Sequence, residues 1–156
     1  MKITIIGFTG SGKSTLSSKL EEKYSIPVLH LDEVRYNPDW TYKPLKEAEE
    51  IIGDFLLKED FIIEGNAYSL ALNRFDLSDL IYVLNINRFT CFNNVLKRIR
   101  ENKDKQIYKH KLTFSFTLWM LFGSHQRKYK KIMKDIINKY QNKVIVINSL
   151  KQYKKL

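Results

Sequence analysis

Eight residues near the start of the chain, GFTGSGKS at 7–14, constrain its fold more than any other stretch. They fit G-x-x-x-x-G-K-[ST] in full, directly after the apolar run ITIIGF and before the amphipathic run STLSSKLEEKY. A strand, a glycine-rich loop and a helix in that order turn successive backbone N–H groups inward onto phosphate oxygens, and the helix N-terminus adds its partial positive charge. Gly7, Thr9, Gly10, Ser11 and Gly12 are therefore expected to line a phosphate cradle. Lys13 should reach the β- and γ-phosphates, and the Ser14 hydroxyl should bind Mg²⁺. The ligands implied are a nucleoside triphosphate, ATP in the first instance, and Mg²⁺.

The rest of the chain repeats the alternation. ITIIGF, PVLHLD, FIIEG, LIYVLN and KVIVIN read as five strands. STLSSKLEEKY, PLKEAEEIIGDFLL, FTCFNNVLKRIREN and QRKYKKIMKDIINKY read as helices, with apolar residues three and four apart. Strands that are apolar at nearly every position suit a parallel sheet with helices on both faces, whose ligands bind at the carboxyl ends of the strands. The expected fold class is α/β: a three-layer phosphate-loop NTPase fold on a five-stranded parallel sheet. With 156 residues and no linker-like break, the expectation is one domain over 1–156, with a small basic lid around 98–112. The aromatic run that follows the lid is ambiguous between helix and strand.

Composition narrows the partners only a little. Hydrophobic residues are 44% of the chain, enough to fill a core. The net charge of +10 favours phosphorylated partners of any kind; the abundance of Lys, Asn, Ile and Tyr also fits simple codon bias. Cys91 is the only cysteine, which excludes an intrachain disulfide or a cysteine zinc site and fits a reducing cytoplasm. No apolar run reaches the roughly 20 residues that span a bilayer.

The receiving half of the reaction is less explicit. Asp32, just past the second strand, suits a carboxylate that organises metal or activates an acceptor; it could equally cap a following helical turn. Glu64 ends another strand and could hold water on Mg²⁺, or could be a solvated strand end. Beside it, Gly65 gives the backbone room to pass a ligand, and Asn66 either bonds the acceptor or caps. Arginines clamp a transferring phosphoryl group, and Arg35, Arg74, Arg88, Arg98, Arg100 and Arg127 are the six available. Arg98 and Arg100 lead into the lid segment, where cations at a solvated helix end are the plainer reading. Trp40 and Tyr36 could cover an acceptor pocket or pack at the edge of the core.

Taken in order, IIGFTGSGKSTL, PVLHLDEVRYNPDW, FIIEGN, DLIYVLNINR and VIVINS resemble the P-loop nucleotide-kinase-like group, and within it the bacterial topology modulation proteins (FlaR-related), a group related to adenylate kinases. The resemblance spans almost the whole chain. It implies ATP and Mg²⁺ contacts at Gly10, Gly12, Lys13, Ser14 and Thr15, an acceptor-side role for Asp32, and clamp or lid roles for Arg88, Arg98 and Arg100. It also implies that the first and third strands are adjacent. Adenylate kinases end the third strand in a pattern like LDGFPR, of which IIEGNAY keeps only the acid and the glycine.

The expected activity is phosphoryl transfer from ATP to a small acceptor, a nucleoside or nucleotide. A small-metabolite kinase of the gluconate or shikimate type is the near variant. An ATP-binding regulator of DNA topology with weak nucleic-acid binding is the alternative from another class. The expected residues are Lys13, Asp32, Arg88, Arg98 and Arg100 for catalysis; Asp32, Arg35, Trp40, Gly65, Asn66 and Arg74 around the acceptor; and Ser14, Asp32 and Glu64 around the metal.

Overall fold

The computed structural model describes residues 1–37, 41–68, 70–101, 117–123 and 127–153. Five strands, β1 (Lys2–Gly7), β2 (Val28–His30), β3 (Phe61–Glu64), β4 (Leu80–Leu84) and β5 (Val144–Ile147), form one sheet in the order β2-β3-β1-β4-β5. Every pairing is parallel. The first and third strands are neighbours, in register from Lys2 opposite Phe61 to Ile5 opposite Glu64. Among the described residues four long helices connect the strands: α1 (Lys13–Tyr24), α3 (Leu45–Leu56), α5 (Arg88–Glu101) and α6 (Arg127–Lys139).

Three shorter helices, α2 (Leu31–Arg35), α4 (Arg74–Leu77) and α7 (Leu150–Tyr153), are too brief to show helical periodicity in sequence. The aromatic run resolves, where it is described, into helical backbone ending in a π-helical turn, Trp119–Gly123, which leaves Leu118, Trp119 and Phe122 exposed.

Burial explains which strands were plain in the sequence. The three inner strands are buried along nearly all their length, while β2 is partly exposed throughout and β5 exposes Ile145. Edge strands have a neighbour on one side only, so full burial on both faces holds for the middle of the sheet. Side chains of β3 alternate as a pleated strand requires: Ile62 enters the larger core, and Phe61 and Ile63 enter a smaller one roofed by Leu31 and Val34 of α2 and Ala48, Ile52 and Leu56 of α3. Each fully buried isoleucine contributes about 2 kcal/mol of apolar transfer energy.

The two ends of the sheet differ. At the amino end, Lys143 Nζ donates to the Asp76 carbonyl at 2.9 Å and the Ser78 carbonyl at 2.7 Å, and the Tyr140 hydroxyl donates to the Asp76 carboxylate at 2.7 Å. The carboxyl end carries the phosphate loop, and there β1, β2 and β3 deliver Gly7, His30 and Glu64.

Candidate active site

The phosphate loop bends between β1 and α1 against α5. Gly10 has φ 78°, and a Cβ there would come within 2.3 Å of the Cys91 carbonyl oxygen, so only glycine permits this approach. Ser11 N–H closes a turn onto the Phe8 carbonyl, and Lys13 Nζ lies back across the loop, donating to the same oxygen at 3.3 Å. α1 begins at Lys13, so the orphan N–H groups of its first turn belong to the loop's ligand side. Thr9 is half-buried and Thr15 is exposed. Asparagines hold the loop from outside: Asn94 Nδ2 donates to the Gly10 carbonyl at 2.9 Å, and Asn66 Nδ2 to the Gly7 carbonyl at 2.6 Å.

Two carboxylates face Lys13. Glu64 is buried, with Oε1 accepting from Ser14 Oγ at 2.9 Å and standing 2.7 Å from His30 Nδ1. His30 and Glu64 are register partners across β2 and β3, which puts both side chains on one face. Burial alone would raise the Glu64 pKa, but the His30 bond, the Lys13 charge and the Ser14 hydroxyl outweigh it and hold the carboxyl below its ordinary range. His30 moves up for the reciprocal reason, its bond to Glu64 exceeding the cost of burial.

Asp32 stands on the first turn of α2, inside the helix rather than at its cap. Desolvation raises its pKa and the nearby Glu64 charge adds to the rise, against the pull of Lys13, His30 and Arg35. Burial lowers the pKa of Lys13, while Glu64 and Asp32 draw it back and Arg98 opposes them. The charges felt at the ammonium thus come from an acid at the end of β3, an acid just beyond β2 and an arginine on α5.

The residues present fit magnesium-bound ATP. Ser11 Oγ and Glu64 Oε2 are buried without hydrogen-bond partners, so the site offers polar atoms that the chain itself does not satisfy. No cluster of three His, Cys, Asp or Glu occurs among the described residues, so they form no all-protein metal cage. Mg²⁺ does not require one, being held by one or two protein oxygens, water and substrate phosphates. Ser14 Oγ and Glu64 Oε1, 2.9 Å apart, are the oxygens that would hold it here.

The other expected residues lie on several elements. Arg98 lies on the α5 face that carries Cys91, Asn94 and Val95; Arg100, about 200° round the helix, is exposed. Arg88 opens α5 with its guanidinium over the Phe89 and Phe122 rings, and Arg127 is exposed at the start of α6. Gly65 makes its close approach to protein: a Cβ there would sit 2.9 Å from Leu31 Cβ. Its carbonyl accepts from Arg74 Nη2 at 3.0 Å; Arg74 has no exposed surface, its Nε and Nη1 lack partners, and burial lowers its pKa to about 10. Asn66 also accepts from Gly7 N–H at 3.3 Å. Trp40 and residues 102–112 of the expected lid lie outside the described residues.

A cavity of about 240 Å³ lies between α2 and α3, lined by Arg35, Tyr42, Lys43, Leu45, Ala48 and Leu70. The Arg35 guanidinium packs on the rings of Tyr36 and Tyr42, 5.9 and 5.2 Å from their centroids. An antiparallel bridge joins the same two tyrosines. Sequence reasoning missed His30, Asn94 and Tyr42. The one available signal was the placement of His30 two residues before Asp32, at the same strand end.

No protein-family model and no curated protein sequence matches the chain. Solved structures do. A gluconokinase from Sinorhizobium meliloti 1021 superposes with a TM-score of 0.55 over 94% of this chain and 81% of that one, at 10% identity. A shikimate kinase from Acinetobacter baumannii, in complex with shikimate, gives 0.58 over 95% and 84%, at 15% identity. At such identities the likeness concerns backbone architecture. With its parallel sheet ordered β2-β3-β1-β4-β5 and the glycine loop leading from β1 into α1, the chain has the fold of the P-loop kinases.

Proposed function

We propose that this protein is an ATP-dependent small-molecule kinase. The observation that carries the reading is the glycine loop between β1 and α1, with Lys13 Nζ lying across it onto the Phe8 carbonyl and the Ser14 hydroxyl donating to the buried Glu64 carboxylate at 2.9 Å. In this reading the loop amides and Lys13 grip the β- and γ-phosphates, and Arg98 offsets charge on the transferring group. Mg²⁺, held by Ser14 and Glu64, would neutralise the phosphate oxygens. Asp32 orients the acceptor hydroxyl and takes its proton as the new P–O bond forms and the bond to the ADP oxygen breaks. A pKa raised by desolvation makes Asp32 a stronger base than an ordinary carboxylate.

The acceptor would occupy the Arg35 cavity. Its volume lies below the roughly 300–1,000 Å³ of drug-sized pockets. Among the described residues two cations and no carboxylate line it, which favours a small hydroxylated anion of the gluconate or shikimate type over a whole nucleotide. The Tyr36 and Tyr42 rings beside it favour the second reading, an adenylate-kinase-like enzyme whose acceptor base stacks there. Membership of the topology modulation subgroup and a cytoplasmic setting belong to the same proposal, resting on the linked order of motifs and on the lone, buried Cys91; no helix among the described residues is long and apolar enough to cross a membrane.

The test is ADP release from magnesium-loaded ATP with gluconate, shikimate, AMP, adenosine or water alone. Acceleration by one acceptor, with its phosphorylated product detected, is expected. Turnover no faster than with water across the panel counts against the kinase reading, and acceleration by AMP alone selects the nucleotide variant.

A further inference from the structure

An anion-binding loop works only if its N–H groups face the ligand and its carbonyls face away, because the planar peptide carries opposite partial charges on opposite sides. Carbonyls turned away from the ligand in a packed structure need donors of their own. At Gly10 that donor is Asn94 Nδ2, and at Gly7 it is Asn66 Nδ2, whose Oδ1 also accepts the Gly7 N–H. Both asparagines come from distant elements, 84 and 59 residues away in the chain.

Asn94 does more than supply a donor. Cys91, Asn94, Val95 and Arg98 are spaced three and four apart and so share one helical face. Gly10 packs directly on that face, against the Cys91 carbonyl and Val95 Cγ2. The amide bond therefore sets the register of α5 against the loop, and with it the height of Arg98 relative to Lys13.

We propose that Asn94 and Asn66 are positioning residues for the phosphate loop, holding the Gly10 and Gly7 carbonyls away from the bound phosphates, with Asn94 also seating Arg98. The proposal rests on the kinase reading only in taking those phosphates to be a nucleotide's.

The test uses the full chain with Asn94→Ala, Asn94→Asp and Asn66→Asp, read by calorimetry with Mg-ADP and by amide hydrogen exchange without nucleotide. Asn94→Ala should weaken Mg-ADP binding about five- to tenfold, the effect of one lost hydrogen bond. The two aspartates replace a donor with a charged acceptor facing a carbonyl, and should weaken it more. Exchange should quicken at residues 8–13 in every variant while α5 and the inner strands keep their protection. Unchanged binding in both Asn94 variants, or unchanged exchange at 8–13, overturns the proposal. Faster exchange along the whole of α5 also overturns it, since that marks a role in helix stability alone. If the unsubstituted protein binds no Mg-ADP, the kinase reading fails, and the exchange comparison still decides this proposal.

Discussion

His30 Nδ1 and Glu64 Oε1 meet at 2.7 Å because the β2–β3 register sets them directly opposite one another. The bond raises the His30 pKa from 6.5 and helps lower that of Glu64 from 4.5. Stability from His30 is fully present below 6.5 and is lost as pH rises through its raised folded value. Stability from Glu64 is fully present above 4.5 and is lost as pH falls through its lowered folded value. Both contributions therefore hold together between pH 4.5 and 6.5. Urea unfolding of wild type and His30→Gln should differ by about 2 kcal/mol in that window, and by less at high pH. A difference independent of pH would mean that packing, not the charged bond, is what His30 supplies.

Lys13→Met should bind ATP weakly and turn over about 100- to 1,000-fold more slowly. Its thermal midpoint should hold or rise, because the substitution removes a desolvated cation. A fall of many degrees would identify Lys13 as a structural residue bridging to the Phe8 carbonyl.

Asp32→Asn should lower kcat about 100- to 10,000-fold with little change in ATP affinity. Because desolvation raises the Asp32 pKa above 3.8, the acid limb of the wild-type rate profile should lie above that value and vanish in the variant. An unaltered limb would assign it to another group.

Arg35→Ala should raise the acceptor KM while the Kd for Mg-ATP stays unchanged, since the guanidinium lines the cavity. Parallel loss of both would place the cavity outside the acceptor path.

Arg74→Ala opens a hole behind Gly65 and should destabilise by about 3 kcal/mol. Arg74→Met fills the space and removes a buried charge with two unpartnered nitrogens, so its cost should be at most about 1 kcal/mol. Equal losses in denaturant titrations would show that the bond to the Gly65 carbonyl dominates.

The parts of this fold that could be read in one dimension are those whose causes are local. The phosphate loop declares itself because Gly10, Gly12, Lys13 and Ser14 act within a few residues of each other, and the inner strands because burial on two faces leaves an unbroken apolar run. Glu64 and Asp32 were legible as acids at strand ends. His30 was not, since its partner is 34 residues distant and meets it only through sheet register. Asn94 looked like an ordinary polar helix residue until Gly10 was folded against it. Arg74 was expected beside the acceptor, yet it is fully buried against the Gly65 carbonyl, and depth is a tertiary property.

At the amino end of the sheet, Lys143 fastens the start of β5 to the carbonyls of Asp76 and Ser78, and Tyr140 grips the Asp76 carboxylate. The β4 and β5 roots are moored there, some five residues of extended chain from the edge that carries the glycine loop. Lys143 thus ties two separate segments of chain at the edge opposite the glycine loop, with one ammonium serving two backbone carbonyls.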